Sequence, residues 1–395
     1  RRGRPHLRHA LSAWRDSWGG RRIATVQGSL ISYLPLVIGT FAAALISVAW
    51  LVPKVRSFAL KIQAVQVGGG AHGAGLRQHK GAVPNIGGIA ILGGFLIAVL
   101  IGSLVAPGVI DQYRVELLAV ALGGSLMTLV GFLDDMWEVP PALRLAAQAV
   151  AAGILVVNGV RIGFVTDYFG SSTFVFIPET FSIVLTVLWV IGFTNAFNFI
   201  DGLDGLSSGI AAISSMSLLA VAVQFDDRGA AVLLLAALAG SALGFLRHNF
   251  GPATIIMGDS GAYLLGYVLA AVSVLGALKV TAAVSVVAPI LVLALPVLNI
   301  TQVTVRRLRR GANPTLATND HLHDILRVRS GSQRLTVILL WTATLVLGVV
   351  GMLLSSTPPV LTLVTLVLTV VLIAGVSLAR LAEVRRSARS TEAAV

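Results

Sequence analysis

Eleven stretches of roughly 20 apolar residues run through this chain, and they limit what it can fold into more than any other feature. They lie near 30–52, 86–106, 115–133, 142–160, 181–199, 206–225, 229–247, 261–278, 281–303, 335–355 and 358–379. A helix of that length crosses the hydrocarbon core of a bilayer. Of 395 residues, 56% are hydrophobic and 12% are charged, with a mean hydropathy of +0.89. Soluble globular proteins carry about 25% charged residues, so a soluble enzyme, a disordered chain and a fibrous one are excluded. The expected fold class is an all-α polytopic integral membrane protein with about 11 transmembrane helices. No cysteine is present, which removes disulfides, thiolate metal sites and cysteine nucleophiles.

The net charge of +12 sorts unevenly between alternate loops. One set holds Lys54, Arg56, Lys61, Arg77, Lys80, Arg144, Arg247, seven arginines from Arg306 to Arg334, and four in the tail after Ala379. The opposite internal loops hold only Arg114, Arg161, Arg228 and Lys279. Basic loops stay in the cytoplasm, so the first set and the C-terminus are placed there, in a multi-pass protein of the cell (inner) membrane. Three segments follow: a basic N-terminal segment 1–29, a membrane domain 30–379 containing a cytoplasmic loop 304–334, and a basic tail 380–395. Residues 1–29 precede an apolar stretch too long for a signal peptide, so 30–52 reads as a retained span. Eleven spans put residues 1–29 outside, against their seven arginines.

The acids collect on the basic side. Gly131-Phe132-Leu133-Asp134-Asp135 ends the third window, and adjacent carboxylates at a hydrocarbon edge need a partner, water or a metal. Such a pair suits either a base or a positioning and electrostatic role. Asn195, Asn198, Asp201 and Asp204 recur every third residue, a spacing that drifts round a helix, and Gly202 and Gly205 predict unwinding after Asp201. A broken helix end rich in oxygen ligands suits Mg²⁺, which takes one or two carboxylates plus substrate phosphates. Asn249, then Met257-Gly258-Asp259-Ser260-Gly261, open the eighth window. In the long loop, Arg306 and Arg307 present forks for phosphate, and His321 and His323 can hydrogen-bond a sugar or phosphate. Topology alone also predicts that arginine run. Lys80, followed by Pro84-Asn85-Ile86-Gly87-Gly88, permits backbone to approach an anion.

In this order, from about Arg77 to Gly331, these segments resemble the polyprenyl-phosphate N-acetylhexosamine-1-phosphate transferases, glycosyltransferase family 4. The most specific piece is Asn195-Ala196-Phe197-Asn198-Phe199-Ile200-Asp201-Gly202-Leu203-Asp204-Gly205, followed by the Asp134-Asp135 pair and Met257–Gly261. The Pro84–Gly88 segment and the single His-Leu-His make it similar to the branch that uses UDP-N-acetylglucosamine. The resemblance implies transfer of a sugar-1-phosphate from a UDP-sugar to a polyprenyl (undecaprenyl) phosphate, releasing UMP and starting a cell-envelope glycan. It implies Mg²⁺, with Mn²⁺ as a substitute, held by Asn198 and Asp259. Asp134 and Asp135 match the pair credited with activating the lipid phosphate, Asp201 and Asp204 match acids implicated in activity, and Asn249 matches a position near the uridine. Asn195, Lys80, Arg306, Arg307, His321 and His323 complete the expected substrate contacts. Two positions depart from the pattern. Asp324 stands where that branch commonly has a second histidine, and Asn299 stands where the family's usual residue is Asp.

The rival within the class is a phospho-N-acetylmuramoyl-pentapeptide transferase; the rival outside it is a transporter of an anionic solute. A transporter places polar groups near the midplane, whereas these acids gather at one face. The expected partners are the lipid phosphate, a UDP-sugar nucleotide, the membrane and a second copy in a homodimer, with no nucleic-acid polymer.

Overall fold

The computed structural model describes residues 5–67, 82–166, 174–277, 287–309 and 321–392. The helices are α1 (Pro5–Lys61), α2 (Gly88–Val105), α3 (Pro107–Trp137), α4 (Pro141–Val157), α5 (Glu179–Ile200), α6 (Leu206–Ala222), α7 (Gly229–Asn249) and α8 (Gly258–Ala277). They continue as α9 (Val287–Val292), α10 (Ala294–Arg309), α11 (Leu322–Ser330), α12 (Gln333–Leu354) and α13 (Pro359–Glu392). Two antiparallel hairpins interrupt them, β1 (Val65–Val67) with β2 (Ala82–Pro84) and β3 (Phe164–Thr166) with β4 (Phe174–Phe176).

Where its residues are described, each apolar window of the sequence falls mainly in helix. Among the described residues, eight helices are long and apolar enough to cross a membrane, and α4 and α6 are shorter apolar ones. The window at 281–303 falls partly outside the described residues; its described part is α9 and α10. Of α1, the segment Ser29–Lys61 is long enough to span.

Sequence dictates several helix ends. Pro107 and Pro141 open α3 and α4 at positions where a missing N–H costs nothing. Glu138, in the left-handed region at φ 51°, closes α3, and Pro140 turns the chain straight into α4. Asp201 leaves helical geometry at ψ 49°, and Gly205, at φ 80°, sets the chain into α6, so the unwinding expected from the glycines is present.

The centre of the bundle is α7, whose apolar run is wholly buried by α1, α2, α3, α6, α8 and α13. Beside it α8 packs on α2, α3 and α5. Small residues make this closeness feasible in a setting where lipid is as apolar as leucine: α7 reads Gly229-Ala230-Ala231 at its start and Ala239-Gly240-Ser241-Ala242 midway. Exposed leucine, isoleucine and valine side chains cover α1, α5, α12 and α13, the surface a lipid environment requires. The ends of α3, α5, α7 and α13 and the starts of α4, α6, α8 and α12 share one face of the bundle, tied together by the contacts described next.

Candidate active site

Two neighbours in sequence, Asp134 and Asp135, diverge in what they hold. Asp134 is 9% exposed and faces Arg144 of α4, with Oδ2 2.6 Å from Nη1. Its Oδ1 accepts the Val139 N–H at 2.8 Å, and the Tyr263 hydroxyl donates to Oδ2 at 3.3 Å. Asp135 instead reaches the start of α8, where Asp259 N–H donates to Oδ1 at 2.9 Å and Ser260 N–H to Oδ2 at 3.2 Å. The first N–H groups of a helix have no partner within it, and a carboxylate there also complements the helix dipole. Asp135 is therefore a cap supplied to α8 by a different helix.

That cap aims Asp259. Gly258 sits at φ 69°, a left-handed conformation, with the Asp135 carboxylate and the Asn85 carbonyl against it, so a side chain there is excluded twice over. Gly131 lets the α3 backbone touch that of Asp259 and Ser260. Asp259 then points across to α5, where Asn198 Nδ2 donates to its Oδ1 at 2.7 Å. Its Oδ2 lies 3.9 Å from Arg144 Nη1, and its side chain is 34% exposed. Arg144 thus stands between Asp134 and Asp259.

Asn198 and Asp259, expected as metal ligands, are adjacent. Hard oxygen donors are what Mg²⁺ takes, and it needs few of them from protein. The Asp259 side chain is 34% exposed, and the Asn198 carboxamide oxygen has no hydrogen bond among the described residues, so the pair fits such a cation. Among the described residues no group of three or more His, Asp or Glu is placed to hold a metal; a cation held by Asn198 and Asp259 would take its further ligands from phosphate and water.

The other expected residues are arranged as braces around this centre. Asp201 Oδ1 accepts the Ser207 hydroxyl at 2.6 Å, and Asp204 Oδ2 accepts the Ala253 N–H at 3.0 Å. Asn249 is 3% exposed; its Oδ1 accepts Gly205 N–H at 2.9 Å and its Nδ2 donates to the Ile255 carbonyl at 3.1 Å. Asn195 Nδ2 donates to Gln148 Oε1 at 2.7 Å and to the Ile191 carbonyl at 2.8 Å, linking α5 to α4. His321 stacks on Phe199 with centroids 5.5 Å apart, and on His323 at 5.3 Å, so both histidines reach the α5 end. Arg306 lies on the last turns of α10, while Lys80 and the side chain of Arg307 lie outside the described residues.

Sequence reasoning missed Tyr263 and Gln148, read Arg144 only as a marker of the basic side, and read Asn85 only as part of the Pro84–Gly88 segment. One signal was available for Arg144. A cation near a helix N-terminus opposes the helix dipole, so a basic residue at the fourth position of α4, just after an Asp-Asp pair, calls for an anionic partner.

Residues 117–277 match the family described as glycosyl transferase family 4. A probable undecaprenyl-phosphate N-acetylglucosaminyl 1-phosphate transferase of Bacillus subtilis is 30% identical over 328 residues, 81% of this chain and 85% of that protein. The chain belongs to glycosyl transferase family 4. A decaprenyl-phosphate N-acetylglucosaminephosphotransferase of Mycobacterium leprae is 33% identical across 68% of this chain and 73% of its own length. The undecaprenyl-phosphate alpha-N-acetylglucosaminyl 1-phosphate transferase of Escherichia coli K12 is 24% identical across 70% and 74%. With its apolar helices, this family member is a multi-pass membrane protein.

Proposed function

We propose that this protein transfers N-acetylglucosamine-1-phosphate from UDP-N-acetylglucosamine to a polyprenyl phosphate, releasing UMP, at the cytoplasmic face of the cell membrane. The observation that carries this is the meeting of Asp259, Asn198, Asp134 and Arg144 at one end of the bundle. The names of the relatives support the substrates, and the basic loops support the side.

In this reading an oxygen of the lipid phosphate bonds to the phosphorus that carries the sugar, and the bond from that phosphorus to UMP breaks. A phosphomonoester is largely dianionic at neutral pH, so bringing two anions together is the harder task. Mg²⁺ bound at Asn198 and Asp259 would neutralise charge on the diphosphate. Arg144 keeps a guanidinium beside Asp134 and Asp259, able to turn donors toward a phosphate. Asp135 fixes the first turn of α8 and with it the direction of Asp259. The loop 304–334 supplies donor contacts through Arg306, His321 and His323.

The test is purified protein with Mg²⁺, undecaprenyl phosphate and a panel of labelled UDP-sugars, scoring lipid-linked product and UMP. The expected product forms from UDP-N-acetylglucosamine. Product from UDP-N-acetylmuramoyl-pentapeptide alone, or none from any donor, overturns the reading.

A further inference from the structure

Three arginines from three helices converge beside the loop that leads into Asp259. Arg56 of α1, Arg247 of α7 and Arg380 of α13 stand in the last two turns of their spans. Arg56 Nε donates to the Thr254 carbonyl at 3.2 Å, and Arg380 Nη2 to the Pro252 carbonyl at 2.8 Å. Arg247 pairs with one oxygen of Glu383 on α13, and the other lies 3.7 Å from Arg380 Nη1. Arg380 stands in the field of both other arginines. Its side chain is 12% exposed, and its Nε is buried without a partner.

Charge and donors here are one-sided. Each guanidinium carries five N–H groups. Among the described residues, the acceptors that reach the three are two carbonyls and the two oxygens of Glu383. Three positive charges thus share one carboxylate. His248, in the same field, adds no counter-charge, because a histidine is neutral or positive. Like charges gathered at a partly desolvated site repel one another unless an anion joins them. Topology explains why basic residues lie at this end of the bundle, but not why three helices aim them at one point.

The flanks of the cluster are apolar and open. Phe58 of α1 is 50% exposed and Leu378 of α13 is 64% exposed. Trp50, 59% exposed with Lys54 Nζ 2.8 Å over its ring, marks on α1 the level where headgroups begin. Such flanks suit an anion that arrives with acyl chains attached. We infer that Arg56, Arg247 and Arg380 form a binding site for the phosphate of an acidic membrane phospholipid, which bridges α1, α7 and α13 beside the loop 251–254. This site lies outside the transferase reading and does not rest on it.

Thermal unfolding of the purified protein in detergent tests it, with dioleoylphosphatidylglycerol or dioleoylphosphatidylcholine added at the same mole fraction. The glycerol lipid is expected to raise the unfolding temperature by a few degrees more than the choline lipid does. Arg56→Gln and Arg380→Gln are each expected to lose most of that excess. Arg385→Gln, at an exposed position of the same helix, is expected to keep it. Glu383→Gln removes the counter-charge and is expected to enlarge it. Arg380→Gln also gives up the Pro252 carbonyl, so the quantity compared is the difference between the two lipids within each variant. If that variant is not recovered folded, Arg56→Gln and Glu383→Gln decide the matter by their opposite signs. No excess in the unaltered protein overturns the site. So does an excess that survives Arg56→Gln, or one that falls equally in Arg385→Gln, since the effect then belongs to the basic surface as a whole. An equal rise with inorganic phosphate alone would make the ligand a soluble anion and overturn the lipid assignment.

Discussion

At one end of the bundle Asp134, Asp135, Asn198, Asp259 and Arg144 meet side chain to side chain or side chain to helix end. At the other, Tyr33 and Tyr113 each donate a hydroxyl to a backbone carbonyl, that of Asp226 at 2.5 Å and that of Asp227 at 2.6 Å. There Gln224 bonds to Thr357 at 2.9 Å, and Arg161 pairs with Glu179. Arg228, 6% exposed, lies 4.1 Å over the Phe225 ring beside a cavity with ≈ 40 Å³ of room, enough for water. Burial pushes its guanidinium down to about 10, against the pull of Asp227. The far end closes the bundle mostly with neutral donors on main-chain acceptors. The site end holds charge and leaves part of it open, at the Asp259 side chain.

The chain leading into Asp259 is held more firmly than a loop needs to be for topology alone. Arg56, Arg334 and Arg380 come from α1, α12 and α13 to donate to the carbonyls of Thr254 at 3.2 Å, Gly251 at 3.3 Å and Pro252 at 2.8 Å. Asp204 and Asn249 hold the same loop from inside. Basic residues predicted only as markers of the cytoplasmic side are thus also fasteners. Rigid support of this kind is what an electrostatic site requires, since donors and charges must be in place before the reaction.

The comparison breaks first at Asp259. Asp259→Ala removes the exposed carboxylate and is expected to lower transfer by about a thousandfold or more, while folded protein is still recovered from membranes. Near-normal activity in that variant, measured as lipid-linked product, would move the site elsewhere.

A smaller effect is expected at Asp135. Both of its oxygens accept amide N–H groups, so Asp135→Asn turns one acceptor into a donor facing a donor at the start of α8. A loss of about tenfold is expected, equal at about pH 6 and about pH 8.5, because the lost function is geometric. Were Asp135 the base, the loss would be larger near pH 6, where about half the acceptor phosphate is monoanionic. A pH series of initial rates separates the two.

Much of the architecture was legible in the sequence because membrane helices announce themselves by length and composition. The break after Asp201 was legible because glycine spacing is a local signal. The pairings were not. Nothing local to Asp135 says that it caps a helix starting more than a hundred residues later, and nothing local to Asn195 or Asn249 separates a brace from a ligand contact. Hydropathy also hid the centre of the bundle: the apolar run of α7 is entirely enclosed and that of α13 mostly lipid-facing, yet both read alike in the sequence. In lipid both faces of a helix are apolar, so the alternation that marks a core in water is missing; the small residues of α7 were the signal to use.

The smallest effect is expected where the comparison is most lopsided, at the far end. Tyr113→Phe keeps the ring, which is 3% exposed and packs in the bundle, and removes the hydroxyl, which donates to the Asp227 carbonyl and hydrogen-bonds with the Gln112 side chain. One neutral hydrogen bond contributes about 1 kcal/mol net, and slightly more where the abandoned acceptor stays buried. Tyr33→Phe removes the matching bond to Asp226. Each variant is expected to lower the unfolding temperature in detergent by a few degrees, with KM and kcat for transfer unchanged. The two tyrosines serve neighbouring carbonyls of one turn, so their effects need not add, and the double variant measures how far that turn behaves as a unit. Unchanged stability in both variants would show that the turn is held by Arg228 and its surroundings instead. A change in KM for the UDP-sugar would show that the two ends communicate through α3 and α7, and the division drawn between a closing end and a reacting end would then fall.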